Sequence, residues 1–181
     1  KLLWAIMGEC NLEEASLKNS DIKYVNLMNA NLVEANLENS DMTCSNCTGA
    51  MFGGTNLKNT IAANSLFNET NMNSANLVNA NLSGSVFMTA NMQNANLEGA
   101  NLAAVNMFRA NLTNTIMSNS KMAVANLCES NLFKTNLSNA YLVGANLMSA
   151  NLEGANLEGA NLSYANLLNA NLEGASLEGA N

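Results

Sequence analysis

The chain contains no histidine and no proline among its 181 residues. Without histidine it lacks the side chain that titrates most readily near neutral pH, and the commonest metal ligand. Ser-His-Asp and Cys-His catalysis are therefore excluded. Basic residues are scarce, with seven Lys and Arg against fourteen Asp and Glu and a net charge of −7. A phosphate-binding surface needs a basic footprint, so direct nucleic-acid binding is not expected. The balance leaves room for a basic partner, or for mimicry of a nucleic acid. No run of 18 apolar residues occurs, so no membrane span is expected.

The opening residues, Lys-Leu-Leu-Trp-Ala-Ile-Met, are too short for a signal peptide and already follow the repeat described below. The chain does not begin with Met and stops within a repeat at Asn181. Residues 1–181 are accordingly expected to form one domain, cut from a longer chain.

The four cysteines, Cys10, Cys44, Cys47 and Cys128, fall at four different phases of that repeat. Free thiols are expected, in the cytoplasm or another reducing compartment. Cys44-Ser-Asn-Cys47 spells CxxC, but its two thiols should point in opposite directions, out and in. No redox site, metal site or cofactor is expected.

Read in blocks of five, the chain keeps one register throughout. Residues 2, 7, 12 and so on to Leu177 are large and apolar, apart from Cys47 and Ala62. This centre is Leu in 23 of 36 repeats and Met in seven. The residue two before it is Ala in 21 of 36, and Ser or Thr in twelve. Asn usually stands just before the centre, as at Asn11, Asn26 and Asn31. The last position is Asn or Gly in 20 of 36. Both tolerate positive φ and favour turns. A period of five fits neither a helix nor a strand. A chain that turns a corner every five residues must coil, and stacked coils can pair as short parallel strands.

Ala-Asn-Leu-Glu-Gly, at 150–154 and again at 155–159, resembles the consensus of the pentapeptide-repeat proteins. The resemblance covers the whole chain. It implies an all-β fold, a right-handed quadrilateral parallel β-helix with 20 residues per coil and about nine four-sided coils. At about 4.8 Å per coil the rod would be on the order of 43 Å long. A step of 20 from Met88 reaches Phe108, Cys128, Met148 and Leu168, all apolar, whereas steps of 15 are mixed. The core should compensate volume, with small Cys47 beside Phe52 and Ala62 beside Phe67. Phe67 and Phe87, 20 apart, should stack. Gly53-Gly54 reads as a candidate bulge.

Function in a solenoid lies on the outward residues. Two features stand out. One is the apolar column Met88, Phe108, Cys128, Met148 and Leu168, with Leu66 and Val86 on the same face. Contiguous exposed apolar surface marks an interface. The other is an acidic patch, Glu153, Glu158, Glu173 and Glu178, with no basic residue beyond Lys134. Lys18, Glu38 and Lys58 should form a ladder up one column, and Asp21 should stack on Asp41. Six Asn-x-Ser/Thr sequons, at Asn46, Asn68, Asn81, Asn111, Asn136 and Asn161, follow from an Asn-rich composition.

The reading is a non-catalytic scaffold whose partner is another protein, or a second copy of itself in a homodimer. The alternative comes from the resemblance. Some pentapeptide-repeat proteins mimic DNA and bind DNA gyrase, giving quinolone resistance. That role asks for a long acidic face, yet between Met42 and Leu97 the only charges are Lys58 and Glu69.

Overall fold

The computed structural model describes residues 1–181. The residue before each centre makes a parallel bridge to the residue 20 further on, from Ile6↔Asn26 to Asn156↔Ser176. Four such columns run up the molecule, so 20 residues close one four-sided coil. Around Met92 the pattern is plain. Asn91 N–H donates to the Thr70 carbonyl below at 2.9 Å, and Met92 N–H to the Asn111 carbonyl above at 2.8 Å. Asn94 N–H reaches the Thr113 carbonyl at 3.0 Å, and Ala95 N–H closes the turn on the Met92 carbonyl at 3.0 Å.

The corner is a β-turn whose second central residue is left-handed, as type II turns require. All 36 corner residues have φ between 51° and 70°, and 27 of them are not glycine. Asn is the commonest of these, and it adopts this region at little cost. Val124, at φ 51°, is β-branched, as is Thr89 at φ 56°. A branched Cβ makes the left-handed region costly.

The pairing is narrower than the short strands expected from the sequence. Each side contributes one bridged residue, because the next corner carries the chain away. The bulge expected at Gly53-Gly54 is absent: Met51↔Asn71 and Asn56↔Asn76 keep the 20-residue step. Gly54 is an ordinary corner at φ 65°. Its missing Cβ leaves room for the Glu34 carboxylate, which reaches over it.

Inward residues form one continuous core, from Ile22 to Ala160, in which centres and small positions are shielded from water. Volume is balanced as the sequence implied, with Cys47 and Ala62 both at 0% exposure beside buried Phe52 and Phe67. Several hydroxyls at the small positions donate to carbonyls of the coil below, and others, such as Thr70 and Ser130, to the carbonyl three residues back. Thr55 Oγ1 reaches the Leu32 carbonyl at 2.7 Å, and Ser85 Oγ that of Ala62 at 2.7 Å. Most buried polar groups in folded proteins are partnered in this way. The Ser40 and Ser120 hydroxyls have no partner.

Asparagine before the centre has two tasks. Its Oδ1 accepts the N–H two residues on, as Asn31 does from Val33 at 3.1 Å. Its Nδ2 donates to the Asn one coil below, as from Asn171 to Asn151 at 3.2 Å and from Asn151 to Asn131 at 3.1 Å. The Asn-rich surface is therefore a bonded ladder that braces turn and stack together.

Candidate functional site

No pocket indents the rod and no three potential metal ligands cluster. Anything that binds must lie along a side or an edge. The apolar column does form one edge. Thr89 N–H donates to the Phe108 carbonyl, Arg109 to Cys128, Glu129 to Met148 and Ser149 to Leu168, at 2.8–3.1 Å. These bonds set the five residues one above another. Met88 is 37% exposed and Leu168 61%, while Phe108 and Met148 are half-buried. Cys128 departs from the outward reading. It holds an outward position yet is only 6% exposed, covered by its surroundings. Leu66 and Val86 bridge each other beside the foot of the column, Leu66 exposed and Val86 half-buried.

A pair of charges borders this edge. The Arg109 guanidinium lies 4.8 Å from the centre of the Phe108 ring. Its Nε is 2.7 Å from Glu129 Oε2, one coil up. Sequence reasoning passed over this pair, although residues 20 apart with opposite charge were there to be found. It also passed over Val124 and Tyr164 at the next corner, and Tyr141 beyond it, exposed at 64%, 93% and 47%. Of the two sides that meet at this edge, the Leu66–Asn166 side carries no charged outward residue over residues 63–168, while the Asn71–Asn171 side carries Lys134 and Glu153.

The acidic residues stack in two columns. Gly154 N–H bonds the Glu173 carbonyl and Gly159 N–H that of Glu178, so Glu153 lies beneath Glu173 and Glu158 beneath Glu178. Glu153 is half-buried and the other three are exposed. Glu153 accepts a bond from Asn171 at 3.4 Å and Glu158 one from Ser176 at 3.2 Å. None of the four has a basic partner. Lys134, one coil below Glu153, turns instead to the Phe133 ring at 5.0 Å.

At the other end Lys18 meets Glu38 at 2.7 Å, but Lys58 does not continue the ladder. Asp21 bridges Asp41, and Lys23 Nζ sits 3.1 Å from Asp41 and 4.0 Å from Asp21. Its bond to Asp41 raises the Lys23 pKa. Burial works to raise Asp41, but bonds from Thr43 and Lys23 outweigh it and hold the carboxyl below its ordinary value. The lysine occupies the place where a cation would sit. Trp4 and Tyr24, 20 apart, stack at 4.2 Å. All four cysteines are unpaired. Burial pushes the Cys47 thiol up to about 12.

The model of one family, described as pentapeptide repeats, matches in 8 copies over residues 4–32, 25–59, 52–88, 85–123, 117–149 and 150–181. Among solved structures the chain is similar to HetL, a pentapeptide repeat protein involved in heterocyst differentiation regulation from the cyanobacterium Nostoc. Identity is 27%, coverage 95% of this chain and 89% of that one, and the TM-score 0.68. It is similar to Rfr23, a pentapeptide repeat protein of the cyanobacterium Cyanothece, at 26% identity, covering 66% and 89%, with a TM-score of 0.54. QnrB1, a plasmid-mediated fluoroquinolone resistance protein, shares the fold at 16% identity, 99% and 91% coverage and a TM-score of 0.52. No curated protein matches the sequence.

Proposed function

The chain belongs to the pentapeptide-repeat family, and from that premise we propose that it is a non-catalytic scaffold that meets another protein along its apolar edge. The fold is the family's right-handed quadrilateral β-helix, all-β and without helices. No helix is long and apolar enough to cross a membrane. One observation carries the reading. Met88, Phe108, Met148 and Leu168 line one edge, partly exposed, beside a side that carries no charge from Ala63 to Leu168. Met and Phe are enriched at interface cores, and Met adapts to irregular partners. The four unpaired thiols suit a reducing compartment.

The DNA-mimicking alternative has less support. The acidic columns span two adjacent coils, and the middle of the rod holds little charge. The likeness to QnrB1 carries the fold alone.

Methionine oxidation tests the scaffold reading. Met88 and Met148 lie on the edge, and Met51, 43% exposed, lies elsewhere. In an extract of the source cells, peroxide should oxidise Met88 and Met148 more slowly than in dilute pure protein, with Met51 unchanged. Equal oxidation of all three in both conditions would rule out the edge as a contact surface.

A further inference from the structure

Building on that scaffold reading, we propose that the occupant of the apolar edge is a second copy of this chain, packed antiparallel about a two-fold axis midway between Arg109 and Glu129. Charge decides both the surface and the register. Each copy carries a net charge of −7, so most approaches bring like charges together. Of the two sides that meet at this edge, the one bridged through Leu66, Val86 and Asn106 carries no charge over residues 63–168, and the other carries Lys134 and Glu153. Two copies can meet there without setting carboxylates against carboxylates.

The corner column beside the apolar one reads Glu69, Thr89, Arg109, Glu129, Ser149 and Asn169. A two-fold axis perpendicular to the rod and passing through the contact sets each column against its own inverted copy. With the axis midway between the levels of Arg109 and Glu129, Arg109 faces Glu129 of the other copy, twice by symmetry. Thr89 then faces Ser149, and Glu69 faces neutral Asn169. In the apolar column Met88 meets Met148, and bulky Phe108 meets small, covered Cys128. Other registers do worse. Centred on the level of Arg109, the axis opposes Arg109 to itself. Centred midway between Thr89 and Arg109, it opposes Glu69 to Glu129. A parallel dimer keeps every residue at its own level, so Arg109 meets no Glu129. Like charges held face to face are unfavourable, and they select register in paired rods.

Arg109 is 59% and Glu129 39% exposed on the side chain, so both can re-pair across an interface without unfolding the coil. Their intrachain bond and the proposed interchain bond use the same groups. A mixing experiment separates the two. In Arg109→Glu both positions are acidic, and in Glu129→Arg both are basic. Neither variant should dimerise alone, because each opposes like charges. Mixed one to one they should form a heterodimer. There the introduced glutamate faces the introduced arginine, and the native Glu129 of the first variant faces the native Arg109 of the second.

Sedimentation velocity at matched concentration reads the result, with circular dichroism confirming the fold of each variant. The expected outcome is wild type at twice 19.1 kDa, single variants as monomers, and their mixture as a dimer. A monomeric wild type overturns the proposal, as does a mixture that stays monomeric. Single variants that dimerise like wild type overturn the register. Phe108→Glu should also yield a monomer, and a dimer there would exclude the edge. If wild type is monomeric while Met88 and Met148 are still protected in extract, the scaffold reading stands and the second copy falls. If neither holds, both fall.

Discussion

Phe67 and Phe87 stack one coil apart, with ring centres 4.7 Å apart and planes tilted by 9°. Phe52 meets Phe67 edge to face at 5.9 Å. The three rings fill the mid-rod beside Cys47 and Ala62, the two smallest centres. Face-parallel rings at this spacing follow from the coil rise, which sets equivalent residues about 4.8 Å apart. Phe87→Ala should lower stability by about 3–5 kcal/mol. Leu77→Asp, a charge placed at a centre that is 1% exposed, should prevent folding. Thermal unfolding followed by circular dichroism checks both. An unchanged melting temperature for either would contradict the buried core.

The thiols should report their separate environments. Cys44 is exposed, while Cys47 and Cys128 are buried. A thiol held at a pKa of about 12 is almost entirely protonated at neutral pH and so unreactive. A thiol reagent should modify Cys44 fast and Cys47 only on unfolding. Denatured protein, never reduced, should take up four equivalents. Two or fewer would mean that a disulfide exists.

Val124 is strained without evident need, at φ 51° and 64% exposed. Val124→Asn keeps the corner and removes the clash of a branched Cβ. The gain should be about 1 kcal/mol, raising the melting temperature by roughly 2–4 °C for a domain of this size. A fall in melting temperature would mean that the valine makes a contact worth more than the strain.

Glu153, Glu158, Glu173 and Glu178 are solvated and lack basic partners, and they span too little of the rod to imitate a duplex. Purified gyrase should supercoil DNA undisturbed at micromolar concentrations of this protein. Dose-dependent inhibition, relieved by reversing the four residues to Lys, would put the DNA-mimicking reading first.

The centres and corners were legible from spacing, and the resemblance to pentapeptide-repeat proteins supplied the 20 residues per coil. The five-residue period marks the centres, and a step of 20 placed Phe67 on Phe87 and Met88 beneath Phe108. Side-chain reach was not legible. Nothing in the spacing says that Cys128 is covered, that Lys58 stays apart from Glu38, or that Lys134 turns to Phe133. Those outcomes depend on the volume and length of neighbours around each corner. Asn was read as a turn former, and its bonds between coils came only with the coordinates. Corner residues such as Trp4, Glu9 and Val124 adopt positive φ against their own preference. The bridges above and below impose it on them.

On the proposed reading labour is divided in this rod, with the inward residues holding the coil and the apolar edge left for recognition. The most direct test is the double variant Phe108→Glu with Met148→Glu. Both residues occupy outward, half-buried positions. Light scattering and quantitative capture from a source-cell extract should be run on wild type and variant, beside their thermal melts. Both proteins should melt cooperatively, with the self-association and captured proteins of the wild type lost in the variant. Association and capture that survive both glutamates, with cooperative melting kept, would contradict that division.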